Sequence, residues 1–188
     1  MNIGIDVGGT NLRAGAVDEE GRLQAKVSVP VGHVESPEAL VRRLAELARQ
    51  AAREAGVPEG EIRSVGVGIP GAVAGGEILY TCNLPLQDVS FEKLFRVHFD
   101  RPVYLENDAN CAALGEWLYG VGRGLTNFVM LTLGTGLGGG FILNGKPYGG
   151  GGMAGEIGHM VIRQGGAPCS CGRRGCWEAY CSATGLIR

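Results

Sequence analysis

Apolar and polar positions along the chain follow two periods, and the points where the period changes mark out the elements. Residues 2–7 (Asn-Ile-Gly-Ile-Asp-Val) read as a buried strand, with further strands expected near 12–17 and 23–29. Gly8-Gly9-Thr10 and Glu20-Gly21 supply the turns between them, so the start of the chain predicts an antiparallel meander. Helical spacing then takes over: Leu40, Leu44, Leu47, Ala48, Ala51 and Ala55 recur behind Ser36-Pro37. That pair is an N-cap followed by proline in the first turn, and Gly56 with Pro58 closes the helix. Residues 62–69 alternate apolar and small side chains and read as a central strand ending at Pro70-Gly71. A short helix over 90–99 carries Phe91, Leu94 and Phe95 on one face; a strand over 103–105 and a helix over 109–117 follow. Strands are expected over 127–133 and 141–143, with a glycine-rich turn over 134–140 between them and Asn144-Gly145 as a hairpin signal.

Strand, Gly-Thr-rich turn, strand, turn, strand thus occurs twice, which we read as an internal repeat. The first repeat has the order β-β-β-α-β-α-β-α and ends near Gly120, so the expected lobes are residues 1–120 and 121–188. In the first glycine turn, backbone N–H groups can approach an anion and Thr10 adds a hydroxyl. Asp6 can hold Mg2+ through water, since that ion prefers oxygen ligands. A plain glycine hairpin accounts for the same residues. Neither turn is a Walker loop, because no Gly-Lys-Ser/Thr follows, and neither is a Rossmann turn, because each joins two strands.

Composition narrows the classes. A chain of 188 residues with 45% hydrophobic side chains can bury a core and is not disordered. The net charge of −2, without a basic cluster, argues against nucleic acid or a membrane surface as partner. With no apolar run long enough to span a bilayer and no signal-peptide pattern, a soluble cytoplasmic protein is expected. The 34 glycines cluster near polar loops, which suggests backbone approaching a ligand closely.

Candidate chemistry is densest between Glu156 and Glu178. His159, Cys169, Cys171 and Cys176 offer one imidazole and three thiols, a set suited to a closed, four-coordinate zinc site. Ser170, Gly172 and Gly175 are the small neighbours that such tight spacing needs, and the carboxylates Glu156 and Glu178 bracket the ligands. A disulfide with an unrelated histidine is the alternative. The remaining Cys82, Cys111 and Cys181 are expected as reduced thiols packed in the interior. Asp108, with Asn107 beside it, falls where a strand ends and a helix starts. It can aim a carboxylate into a cleft or serve only as an N-cap.

The Glu-x-Gly-His run at 156–159 and the Cys-x-Cys-Gly-x-x-Gly-Cys-x-Glu run at 169–178 resemble the signature of the ROK family, the bacterial-type sugar kinases and their related repressors. Gly-Gly-Ala-Pro at 165–168 and Ser-Ala-Thr-Gly at 182–185 look most like its ATP-dependent glucokinase branch. The resemblance runs over essentially the whole chain. It departs at Leu86-Gln87, where the family often has a bulky residue after the proline.

The resemblance implies an actin-like ATPase (ribonuclease-H-like) α/β fold, a complete N-terminal lobe plus the beginning of the second, in a chain truncated at its C-terminus. It implies transfer of the γ-phosphate of ATP to the 6-hydroxyl of glucose. Asp108 is then the catalytic base, from the pattern Glu-Asn-Asp-x-Asn at 106–110. Gly71, Asn83, Asn107, Asp108, Glu156, His159 and Glu178 bind the sugar. Gly8, Gly9, Thr10, Gly134, Thr135 and Gly136 cradle the phosphates, with Asp6 near Mg2+. A structural Zn2+ is held by His159, Cys169, Cys171 and Cys176, and a homodimer is expected by analogy. Other readings are a kinase for fructose, mannose, N-acetylglucosamine or N-acetylmannosamine, a non-catalytic sugar- and zinc-binding fragment, and a sugar-sensing repressor.

Overall fold

Five strands form one sheet in the order β3-β2-β1-β4-β8: β1 (Asn2–Val7), β2 (Asn11–Val17), β3 (Leu23–Pro30), β4 (Ser64–Ile69) and β8 (Val103–Asn107). The structure, a computed structural model, describes residues 1–81 and 84–187. Strands β1 to β3 pair antiparallel as the predicted meander. Strands β4 and β8 run parallel to β1, which puts the ends of all three at one edge of the sheet.

Helix α1 (Pro37–Glu54) carries the chain back from β3, packs on β1, β2 and β3, and delivers β4 beside β1. The Ser36 side chain accepts from the Ala39 amide at 3.1 Å and caps the first turn. Gly56, at φ 71°, ends the helix in the left-handed conformation that suits glycine. The buried stripe is wider than its leucines alone suggest, since Val41, Ala45 and Ala52 share it. Helix α2 (Phe91–Arg96) presents Phe91 and Phe95 inward, followed by Phe99, with successive ring centroids 5.7 and 6.1 Å apart.

Residues 72–89 differ from expectation. Pro70-Gly71 does not lead into a plain loop. A second, three-stranded sheet follows, built from β5 (Ala72–Ala74), β6 (Glu77–Tyr80) and β7 (Gln87–Val89). Its first hairpin closes through Gly75 and Gly76, both at positive φ, a two-residue turn whose twist matches the paired strands. The strands are too short for periodicity to register, although the Gly-Gly pair is a turn signal.

Contacts gather into two compact units, Met1–Asp108 and Ala109–Arg188. Helix α3 (Asp108–Tyr119) starts at that boundary, and the second unit continues with an antiparallel sheet in the order β11-β10-β9. Its strands are β9 (Phe128–Leu133), β10 (Leu137–Leu143) and β11 (Lys146–Pro147). Strand β10 starts at Leu137, four residues before the position expected from its apolar residues, so Gly138, Gly139 and Gly140 are strand rather than turn. Close packing explains why a strand holds three glycines. A Cβ at Gly140 would collide with Ala113 and Ala109 of α3, and one at Gly139 would lie 2.6 Å from the Ile157 side chain. Asn144 and Gly145, at φ 52° and 69°, form the predicted turn into β11.

The continuous apolar core belongs to the first unit, from Ile3 to Val103. Among the described residues, the buried apolar side chains of the second unit are Ala109, Ala113, Leu137, Ile142 and Cys176. Cys111 and Cys181 form no disulfide and are half-buried rather than packed inside, and Cys82 lies outside the described residues.

Candidate active site

In the first unit the sequence-predicted residues collect at the shared end of β1, β4 and β8. Asp6 is level with Gly68, and Gly68 with Glu106, so Asp6 and Glu106 stand two strand spacings (~10 Å) apart. Just beyond lie the Gly8–Thr10 turn, Gly71 and the Asn107–Asp108 junction. Open α/β sheets take ligands at this edge of their strands. Gly9 and Thr10 are exposed, and a Cβ at Gly9 would meet nothing within 4 Å, so the turn is open to an anion. Asp6 Oδ2 accepts from the Arg13 guanidinium at 3.0 Å, across the β1–β2 pair. One carboxylate oxygen is engaged there, and Oδ1 is the one suited to a water-held cation.

Gly71 has φ 115°, and a side chain there would run into the backbone of Tyr80 and Thr81. Its carbonyl accepts from Asn107 Nδ2 at 3.0 Å. Asn107 is buried, and its amide N–H donates to Glu106 Oε1 at 2.8 Å. Strand β8 passes into α3 without an intervening residue, which fixes the half-buried Asp108 immediately after that bonded asparagine. Asn83 lies outside the described residues.

In the second unit the structure brings His159, Cys169, Cys171 and Cys176 together, their ligand atoms all within 4.8 Å of one another. The turn of Glu156–His159 supplies the imidazole. Bridges between Val161 and Cys176 and between Pro168 and Arg174 fold the cysteine segment back onto it. Cys171 Sγ and Cys176 Sγ are 3.7 Å apart, and Cys169 Sγ lies 3.6 Å from His159 Nδ1. Zinc with Zn–S near 2.3 Å and Zn–N near 2.05 Å gives tetrahedral edges of about 3.8 and 3.6 Å, so these separations fit a four-coordinate zinc. No disulfide joins these thiols.

Burial raises the Cys171 thiol, but the backbone N–H and side chain of Arg173, with the Cys169 and Cys176 thiols, outweigh it and bring it down to about 6. Burial and the neighbouring Cys171 and Cys169 push Cys176 up to about 11. At neutral pH the cluster therefore holds at least one thiolate, the form that ligates a metal.

Both bracketing carboxylates meet the cluster. His159 turns Nε2 toward Glu156 Oε2 at 3.7 Å while Nδ1 faces Cys169. Glu178 opens the short helix α4 (Glu178–Cys181); its Oε1 accepts from Ser170 Oγ at 3.0 Å and its Oε2 from the Leu137 amide at 3.0 Å. The second glycine turn, Gly134-Thr135-Gly136, is thus not wholly open. Gly134 and Thr135 are exposed, but a Cβ at Gly136 would strike Glu178 Oε2. Sequence reasoning gave Ser170 only a small-residue role and overlooked Tyr180. The Tyr180 hydroxyl accepts from the Ala167 amide at 2.8 Å and fills the space beside Gly166, holding the loop that leads to Cys169. Nothing in the spacing of Tyr180 marks that contact. No described helix is long and apolar enough to cross a membrane.

A mixed sheet with three parallel strands ending at one edge, two glycine turns and a Cys3His cluster define a class of protein, and comparison with known families agrees. The model of the ROK family matches residues 2–188, and the chain belongs to that family. A glucokinase of Streptomyces coelicolor is 39% identical over the whole chain, and a xylose repressor of Bacillus subtilis is 33% identical, also over the whole chain. The chain spans 58% and 49% of the lengths of those two proteins. The crystal structure of a ROK family glucokinase from Streptomyces griseus, in complex with glucose and AMPPNP, superposes with a TM-score of 0.89 at 36% identity, covering 100% of this chain and 59% of that one. The fold is the actin-like ATPase fold expected from the sequence.

Proposed function

We propose that the protein is an ATP-dependent hexose kinase that phosphorylates the 6-hydroxyl of glucose. The observation that carries this reading is the alignment of the first glycine turn, Gly71, Asn107 and Asp108 along one strand edge. It gains weight from the 36% identity with a glucokinase solved with glucose and AMPPNP.

In this reading Asp108 accepts the hydroxyl proton as the sugar oxygen bonds to the γ-phosphorus and the bond from that phosphorus to the β-phosphate oxygen breaks, releasing ADP. The Asn107–Gly71 hydrogen bond holds the strand end from which Asp108 projects. Gly71, Asn83, Asn107, Glu156, His159 and Glu178 read the sugar hydroxyls. A carboxylate has about four acceptor sites, so Glu178 keeps capacity for a hydroxyl beyond Leu137 and Ser170. Gly8, Gly9 and Thr10 line one phosphate turn and Gly134, Thr135 and Gly136 the other; the Gly8 amide already donates to the Asn11 carbonyl and the Gly134 amide to the Gly136 carbonyl, both at 3.0 Å, so the donors left for phosphate are those of Gly9, Thr10, Thr135 and Gly136. Mg2+, when bound, neutralises phosphate charge, and Asp6 Oδ1 is the oxygen suited to hold its water. Zinc on His159, Cys169, Cys171 and Cys176 supplies structure rather than chemistry, fixing the segments that carry Glu156 and Glu178. Among the described residues no cysteine is in a disulfide, which suits a reducing compartment and the cytoplasm.

Asp108→Asn tests the base assignment. Loss of general-base catalysis is worth about 10² to 10⁴ in turnover, so the variant should lose at least 100-fold in kcat while calorimetry shows glucose still binding. Near-normal turnover sinks the assignment. The identity with a xylose repressor favours a second reading, a sugar-sensing domain without catalysis. That reading expects sugar binding and no ADP release.

A further inference from the structure

We propose that Glu178 is a positioning residue that braces the second glycine turn against the Cys/His cluster, so that zinc in the cluster sets the shape of the turn. Its consequence for nucleotide rests on the reading of that turn as a phosphate cradle; the brace itself does not.

The turn is gripped at both ends by the segment that follows the ligand Cys176. At one end, Glu178 Oε2 accepts from the Leu137 amide at 3.0 Å. At the other, the Ala183 amide donates to the Gly134 carbonyl at 2.9 Å. The opposite limb of the cluster closes on the same residue, since a Cβ at Gly158, next to the ligand His159, would collide with the Leu137 carbonyl. Leu137 is therefore held on its N–H side by the cysteine limb and on its C=O side by the histidine limb.

Glu178 is tied back to the cluster in turn. Ser170, between two cysteine ligands, donates to Oε1 at 3.0 Å, and Cys169 Sγ lies 3.7 Å from the same oxygen. The missing Cβ of Gly136 leaves room for Oε2. A carboxylate bonded to a backbone N–H on one oxygen and to the cluster on the other transmits a shift of the cluster to the turn, because charge-assisted hydrogen bonds are the stronger kind. Sequence inspection assigned Glu178 to sugar alone, and the separation of 41 residues hides its link to Leu137.

Amide hydrogen exchange on the zinc-loaded, 15N-labelled chain reads the brace without nucleotide, sugar or turnover, so its result is independent of the kinase assignment. Leu137 should be protected in the wild-type chain. Glu178→Ala should speed its exchange at least tenfold, while Glu178→Gln, which keeps an oxygen for the amide, should restore most of the protection. Ser170→Ala should speed it severalfold with zinc content unchanged. Removing zinc with a chelator should speed Leu137 at least tenfold, with the Tyr148 amide, bonded to the Phe141 carbonyl at 2.9 Å, as the reference for global unfolding. Should chelation release Tyr148 as well, the zinc-loaded Ser170→Ala chain decides alone. Unchanged Leu137 exchange in Glu178→Ala, or in Ser170→Ala, overturns the proposal.

Discussion

Cys176 shows how much a single side chain carries. It is fully buried, it is one of few buried apolar residues in its unit, and its sulfur lies 3.7 Å from that of Cys171. Replacing it with serine removes a thiolate donor and leaves a hydroxyl that zinc binds far more weakly. Elemental analysis should find about one zinc per wild-type chain and less than a tenth of that in Cys176→Ser, since a structural site needs four ligands. Equal zinc in both would show that the cluster is not the metal site. At this scale the sequence was most legible where chemistry depends on local spacing. Cys169, Cys171 and Cys176 sit within eight residues, and the strand-to-helix step at Asp108 spans two. What stayed hidden were contacts over longer separations, such as Glu178 to Leu137 and Asn107 to Gly71, in which one partner is a backbone group with no residue-type signature.

Among the elements, the long helix and the meander strands were readable because each repeats its pattern over enough residues to fix a period. Helix α1 has a capped start and a glycine stop. The small sheet of β5, β6 and β7 was not readable, because strands of three or four residues hold at most two inward positions. Strand β10 was misplaced for a different reason. Its glycines are there to admit α3 and the Ile157 turn, and a strand whose side chains are deleted for packing carries no hydrophobic alternation.

The turn between β2 and β3 yields a pH prediction. Asp18 Oδ1 accepts from the Arg22 amide at 2.8 Å and the Glu20 amide at 3.0 Å, and Oδ2 accepts from Gln24. The backbone bond from Arg22 is the largest influence and holds the carboxyl below its ordinary value of 3.8. A carboxyl lowered on folding stabilises the fold above its unfolded value, and that contribution disappears as pH falls through the folded value. Asp18→Ala should therefore be less stable than wild type in urea at pH 7, and the gap should narrow as pH drops below 3.8. A gap that is constant down to acid pH would contradict the assignment.

Over the whole molecule, the two units differ in how much apolar surface they bury. The first has a continuous core of aliphatic and aromatic side chains. The second has little buried apolar area among the described residues, and its strand β9 exposes Val129, Leu131 and Leu133. Units with small cores are stabilised by metal or covalent cross-links, and structural zinc contributes roughly 10–16 kcal/mol in small metal-dependent domains. That is comparable with the whole stability of an ordinary domain, about 5–15 kcal/mol. Chelation should thus lower the melting temperature of the second unit by more than 10 °C in calorimetry and leave the transition of the first unit nearly unmoved. A uniform shift of both would mean that zinc does not act locally.

The central claim, that these residues assemble to phosphorylate a hexose, is tested most directly by ADP release. The purified, zinc-loaded chain is given Mg-ATP with and without glucose, with Asp108→Asn alongside. The account predicts ADP release that rises with glucose, yields sugar phosphate in equal amount, and falls at least 100-fold in the variant. Glucose binding without any glucose-dependent ADP release would contradict it and leave the sugar-sensing reading in its place.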